Sequence, residues 1–371
     1  MSSPNVVLVT GASGFIGSHV TFQLLQAGYR VRGTARGPKV DLLRRRFSSN
    51  KEFEVVEISD IASGDFKAAL QGHSVNTVVH TASPLAGRQS TEDALHYLGQ
   101  SIIEGTMNVI RHAHKAGVVK VILTSSWATT IDPSLVDTFT GVTTTEKSWG
   151  KTSREDLKER DPLYVYCGAK LLAEQAAWDF AAKHRDLDLA TSENEQPLVF
   201  FLQFLLLILA HAVNPPFVYG RPVEGLVTGK GVMSLGTNAL IYQLIAGEPG
   251  RPLPPQLTPF YCHVRDVARA HVLALKLPKL PASADVQEKR FIVAGPGPIL
   301  WPDAVKVLLG KCPALKDRLP TLDNAPPLPG PLAKVDTTHA AEVLGMKDYV
   351  SWEDTLLETI DALLEVEETW K

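Results

Sequence analysis

The stretch Val6-Val7-Leu8-Val9-Thr10-Gly11-Ala12-Ser13-Gly14-Phe15-Ile16-Gly17 decides how this chain folds. Val6 to Thr10 is a continuous apolar run of strand length, the pattern of a parallel strand covered on both faces. Three glycines follow at spacing GxxGxxG, and a helix-like stretch runs from Ile16 to Ala27 before Gly28. Each glycine has a physical task. Gly11 permits a tight turn, Gly14 lets the backbone approach a pyrophosphate, and Gly17 lets the helix pack close to the sheet. The helix N-terminus then offers unpaired N–H groups and a partial positive charge to the phosphates. In this strand–turn–helix context the glycines imply dinucleotide binding.

Working outward, Tyr29 to Thr34, Phe53 to Ile58, Thr77 to His80 and Val119 to Thr124 read as further strands. Helix-like stretches, among them Glu104 to Ala116 and Cys167 to His184, separate them. That alternation predicts an α/β fold, a doubly wound parallel sheet of the Rossmann kind. The end of the second strand bears on the cofactor. An NAD site usually has an acid there for the ribose 2′-OH, but the segment is Val31-Arg32-Gly33-Thr34-Ala35-Arg36, with Lys39 beyond and no acid before Asp41. A guanidinium suits a 2′-phosphate and an acid would repel one, so Arg36 predicts NADP(H).

The remaining sequence bounds the function. With 37 basic and 40 acidic residues among 371, the net charge of -3 gives no broad cationic field, and nucleic acid is not an expected partner. Cys167, Cys262 and Cys312 are odd in number and far apart. They suggest neither a disulfide framework nor a zinc site, and they fit a reducing, cytoplasmic compartment. His112 and His114, two apart in a helical stretch, cannot share a ligand well, and no metal is expected. The N-terminal apolar run is short, lacks a basic flank and reads as a strand, not a signal peptide. After about Gly220, Pro and Gly become frequent, as in Pro249, Pro252, Pro254, Pro255 and Pro259. The expected division is a dinucleotide-binding domain of residues 1–220 and 258–296. A smaller mixed α/β substrate-binding domain takes residues 221–257 and 297–371.

Tyr166-Cys167-Gly168-Ala169-Lys170 is a YxxxK pair, placing phenol and ammonium on one helix face. A neighbouring cation stabilises phenolate and brings a tyrosine toward useful acid–base strength. Upstream, Thr124-Ser125-Ser126 ends a strand, where ligands of open α/β sheets bind. A hydroxyl there can hold a carbonyl oxygen while Tyr166 supplies a proton.

These motifs resemble the extended short-chain dehydrogenase/reductases, specifically the dihydroflavonol-4-reductase-like branch. Within it, the chain is most like fungal NADPH-dependent aldehyde and ketone reductases of the methylglyoxal reductase type. The matching stretches include Val9 to Gly17, His80-Thr81-Ala82-Ser83-Pro84, Leu123 to Ser126, Tyr166 to Lys170, Asn214 to Gly220 and Val264 to His271. The resemblance implies a catalytic triad of Ser126, Tyr166 and Lys170, Ser126 being the second of the Ser-Ser pair. It implies cofactor contacts from Gly11, Ser13, Gly14, Phe15, Ile16 and Gly17, with Asp60 and Ile61 beside the adenine. Thr81, Ala82 and Ser83 would line the path to the nicotinamide ribose, and Pro215, Phe217 and Val218 would sit beside the nicotinamide. The expected activity is reduction of a small aldehyde or ketone by hydride from NADPH. The expected partner is the small carbonyl substrate alone, with no membrane, in a monomer or homodimer. Two other readings stand beside it: a non-catalytic NADP(H)-binding redox sensor, and an NAD-dependent epimerase/dehydratase of the same extended family.

One segment conflicts with all of this. Leu187-Asp188-Leu189-Ala190 reads as the start of a strand, and Val213-Asn214-Pro215-Pro216 as its end. Residues 191–212 stand between them, polar at first and then apolar from Leu198 to Ala210 except for Gln203. The apolar part falls short of the ~20 residues a bilayer core needs. We expect residues 191–212 to be foreign to the fold, the translation of a retained intron.

Overall fold

The computed structural model describes residues 6–71, 75–85, 90–184, 209–227, 229–278, 285–323 and 325–371. The apolar run Val6–Thr10 forms β1, buried along its whole length. It is joined by β2 (Arg30–Ala35), β3 (Phe53–Glu57), β4 (Val75–His80), β5 (Lys120–Thr124), β6 (Leu209–Asn214) and β7 (Arg290–Ile292). The order across the sheet is β7-β6-β5-β4-β1-β2-β3, and every pairing is parallel. The order reverses between β1 and β4, so a crevice opens at the C-terminal ends of these two strands.

Alternation along β1 divides the core. Val7 and Val9 pack into one cluster with Val20 and Leu24 of α1 (Phe15–Gln26) and with Val264, Val267 and Ala268. Val6 and Leu8 face the other way, against Val109, Ile110 and Ala113 of the helix Ser101–Lys115. That helix begins three residues before the expected Glu104. A larger difference is at α2 (Pro162–Lys183), which starts ahead of the expected Cys167. Pro162 stands at its first turn, and the Asp161 carboxylate caps it, accepting from the N–H groups of Leu163 and Tyr164 at 3.0 and 3.1 Å. Tyr166 therefore lies inside the helix and one turn from Lys170. A separate apolar core gathers Leu235, Ile241, Leu244 and Ile245 with Trp301, Val305, Leu308, Leu356, Ile360 and Leu363, meeting the sheet domain at Tyr219 and Tyr261.

The last four residues of the segment expected to be foreign fall within the described residues. Leu209–Ala212 form the first part of β6, with Leu209 opposite Lys120, His211 opposite Ile122 and Ala212 opposite Leu123. The slot between β5 and β7 needs a strand to pair its backbone groups, and these residues fill it. Residues 191–208 lie outside the described residues. Among the described residues, no helix is long and apolar enough to cross a membrane.

Candidate active site

The turn after β1 is shaped by what a side chain would strike. Gly11 has φ +68°, and a Cβ there would fall 2.8 Å from the Ala82 Cα. A Cβ on Gly17 would fall 2.3 Å from the Gly11 carbonyl oxygen and 2.6 Å from Thr81 Oγ1, whereas one on Gly14 would meet that carbonyl oxygen at 3.1 Å. Thr81 fastens the two strand ends, its hydroxyl donating to the Thr10 carbonyl at 2.7 Å. Thr81, Ala82 and Ser83 are thus brought alongside the glycine turn. Gly14 is the N-cap of α1 and supplies no capping side chain, which leaves the first turn, beside Ser13, Phe15 and Ile16, to an external anion.

Arg36, just past β2, is exposed and lines a cavity of about 710 Å³ with Lys39, Arg45, Glu57 and Ser59. The acids nearby are already engaged. Glu57 Oε1 accepts from the Gly37 N–H at 2.9 Å. Asp60 accepts from the Ala62 N–H and the Ser63 hydroxyl; those bonds, with a smaller pull from Arg36, hold its carboxyl below the usual range. Ile61 lies next along the same turn, its Cγ2 where a Cβ on Gly105 would come within 2.8 Å. Cations face this cavity and its carboxylates are occupied, so the residues present fit a 2′-phosphorylated dinucleotide.

The reactive side is built at the ends of β5 and β6. Ser125 and Trp127 continue the ladder, their N–H groups donating to the carbonyls of Val213 and Pro215 at 2.9 and 2.8 Å. Between them Ser126 is extended and half-buried, its Oγ accepting from the Ala128 N–H at 3.2 Å. Lys170 reaches the same strand end: its ammonium donates to the Thr124 carbonyl at 2.8 Å. The Thr124 hydroxyl lies 2.7 Å from His271 Nε2. Burial brings Lys170 down to about 8, while the charge of Glu174 opposes that fall. Tyr166 departs from expectation. Burial, with a smaller push from Cys167, moves its phenol upward, and the Lys170 ammonium is directed at Thr124. The group is held protonated, the state that a proton donor needs. Of the segment expected beside the nicotinamide, Pro215 is buried, Phe217 is half-buried against the second core, and Val218 is buried in the sheet-domain core.

A model of the NAD dependent epimerase/dehydratase family matches residues 7–286. The chain belongs to that family. Within it, this protein is 30% identical over 373 residues to the NADPH-dependent methylglyoxal reductase of Saccharomyces cerevisiae, covering 97% of this chain and 98% of the relative. It is 32% identical over 352 residues to a ketoreductase of Aspergillus niger, covering 92% of each. The crystal structure of the yeast methylglyoxal/isovaleraldehyde reductase complexed with NADPH superposes with a TM-score of 0.79 at 27% identity, covering 98% of this chain and 99% of that one. The Rossmann sheet and the family resemblance read from the glycine turn and the YxxxK pair stand on these matches. What the sequence reading did not reach is the set of buried partners behind the triad: Ser125, Thr129, Glu174, Asn214 and Arg290. Glu174 carries one legible signal, an acid one helical turn beyond Lys170 within the mainly apolar run Leu171 to Trp178.

Proposed function

We propose that this protein reduces the carbonyl of a small aldehyde or ketone to the alcohol, with NADPH as the reductant. The observation that carries the reading is the meeting of Lys170 with the strand end that presents Ser126, through the 2.8 Å bond to Thr124, with Tyr166 one turn away on α2. Bound NADPH supplies a hydride to the carbonyl carbon. Tyr166, kept protonated by burial, gives its proton to the oxygen as negative charge develops there. Ser126 donates a hydrogen bond to the same oxygen. Lys170 holds the ribose hydroxyls.

The glycine turn carries the pyrophosphate and Arg36 the 2′-phosphate. Asp60 and Ile61 take the adenine, Thr81, Ala82 and Ser83 the nicotinamide ribose, and Pro215, Phe217 and Val218 the nicotinamide. Residues 221–257 and 297–371 cover the substrate side, and a cytoplasmic location suits three unpaired thiols. The test is NADPH oxidation by the purified protein with small aldehydes, diketones and aryl ketones. Saturable oxidation with at least one carbonyl is expected; tight NADPH binding with no turnover across the panel would overturn the reading.

A further inference from the structure

Behind Ser126 and Lys170 lies a charge with no path to the substrate. Glu174 of α2 is fully buried. Its Oε2 accepts from the Ser125 hydroxyl at 2.5 Å and from Asn214 Nδ2 at 2.9 Å, and it lies 2.9 Å from Thr129 Oγ1. Its Oε1 accepts from Arg290 Nε at 2.8 Å and Trp178 Nε1 at 3.3 Å. Arg290 is buried as well, donating to the carbonyls of Glu146 and Ser148 at 2.6 and 2.8 Å, with its guanidinium 3.6 Å from the Trp149 ring centroid. The partners come from β5, α2, β6, β7 and the turn Trp127–Thr130, so one carboxylate ties together elements far apart in sequence. A buried ion pair is by itself weak evidence for stability, because apolar residues of the same volume do as well. Its partners point to another role. Asn214 Nδ2 also donates to the Ser126 carbonyl at 3.2 Å, and the Thr129 hydroxyl lies 2.9 Å from that same oxygen.

Resting on the carbonyl-reductase reading, we propose that Glu174 is a positioning residue for the reaction, fixing the Ser126 backbone through Asn214 and Thr129 and setting a negative charge one helical turn from Lys170 on α2. The other groups around Lys170 leave this task to it. Tyr166 and Cys167 on α2 are pushed up by burial and stay neutral. His80 of β4, buried and repelled by Lys170, falls to about 3, and buried His271 behind Thr124 falls to about 4. Arg290 of β7 is paired with Glu174. Among the described residues facing this corner, Glu174 is the negative charge.

Glu174→Gln sets an NH2 donor where one of the accepting oxygens met donors, and it removes that charge. Without it Lys170 loses its proton at lower pH, so the alkaline limit of NADPH binding, read by fluorescence titration, should move down by about one pH unit. The alkaline limb of kcat/KM should follow, and kcat should fall by about tenfold or more through misplacement of Ser126. Glu174→Gln/Arg290→Gln leaves no uncompensated cation; it should melt closer to the parent protein and keep the shifted limit. Asn214→Ala, which cuts the tie to Ser126 but leaves the charge, should lower kcat with the limit unmoved. A folded Glu174 variant with the parent's alkaline limit, or an Asn214→Ala enzyme with the parent's kcat, would overturn the proposal. Should the parent protein bind NADPH without reducing any carbonyl, the reductase reading fails by itself, and the pH limit of binding still decides whether Glu174 controls Lys170.

Discussion

The nucleotide side and the reactive side of this crevice are organised on opposite plans. On the proposed nucleotide side, the groups on offer are backbone atoms of one short stretch, Gly11 to Gly17, and the exposed cation Arg36 at the next strand end. What matters there is the absence of side chains: the Ala82 backbone and the Gly11 carbonyl occupy the places where a Cβ would stand. On the reactive side, what matters is the presence of polar side chains in the interior. Ser126 and Lys170 are held by Thr124, Thr129, Glu174, Asn214 and Arg290, which three strands, a helix and the turn Trp127–Thr130 bring together. Shape local in sequence specifies the first; satisfied buried polarity, assembled by the fold, specifies the second.

Tyr166→Phe should break the reactive side most sharply. Loss of a positioned proton donor lowers turnover by ~10²–10⁴-fold, and stopped-flow or steady-state NADPH oxidation will show it. NADPH affinity should hardly change, because the nucleotide side is untouched. A variant that also loses the cofactor would show that the two sides are not separable.

The converse lesion is Gly11→Ala. It forces an L side chain into a left-handed backbone and against Ala82, at a cost of ~1–3 kcal/mol in strain alone, and isothermal titration should record a matching loss of NADPH affinity. Arg36→Ala gives a finer division within the same side. A charge-assisted bond to the 2′-phosphate contributes ~1.5–3 kcal/mol, so NADPH should weaken roughly 10- to 150-fold and NADH far less. Equal losses for both would remove Arg36 from the phosphate site.

The same contrast explains what could be read before the structure was known. A glycine's conformation follows from its neighbours in sequence, so the turn at Gly11 and the placing of Tyr166 and Lys170 on one helix were legible. Beyond its spacing from Lys170, nothing in the sequence sets Glu174 apart from other helical glutamates. Its importance depends on Arg290, brought beside it only when β7 pairs with β6. The expected lowering of Tyr166 by Lys170 failed for a similar reason, since the cation's direction is set by a strand-end carbonyl that the spacing cannot reveal.

The smallest expected effect lies at β6, where the two plans meet and sequence and fold disagree. His211 is fully buried, and among the described residues neither ring nitrogen has a hydrogen-bond partner. It stacks near Phe291 at 6.3 Å. Desolvation first, then Lys120 and Lys289, drives it from 6.5 to about 3. Leaving such groups unpaired costs ~1–3 kcal/mol, which suits our proposal that residues up to about Ala212 came from a retained intron. His211→Leu keeps the volume and removes the orphaned nitrogens, so the melting temperature at neutral pH should rise. The sign of its pH dependence is fixed. The unfolded chain binds a proton at this imidazole below about 6.5 and the folded one only near 3, so stability is lost as pH falls through that window. In the leucine variant the acid-side slope should shrink by ~1.4 kcal/mol per pH unit. Deleting residues 191–212 carries the idea further: Ala190 then takes the place of Ala212, and Leu189 that of His211. Soluble protein that binds NADPH is the expected result. If His211→Leu melts below the parent, or if transcripts across codons 185 to 220 uniformly encode the full segment, the segment is native and its imidazole serves the strand.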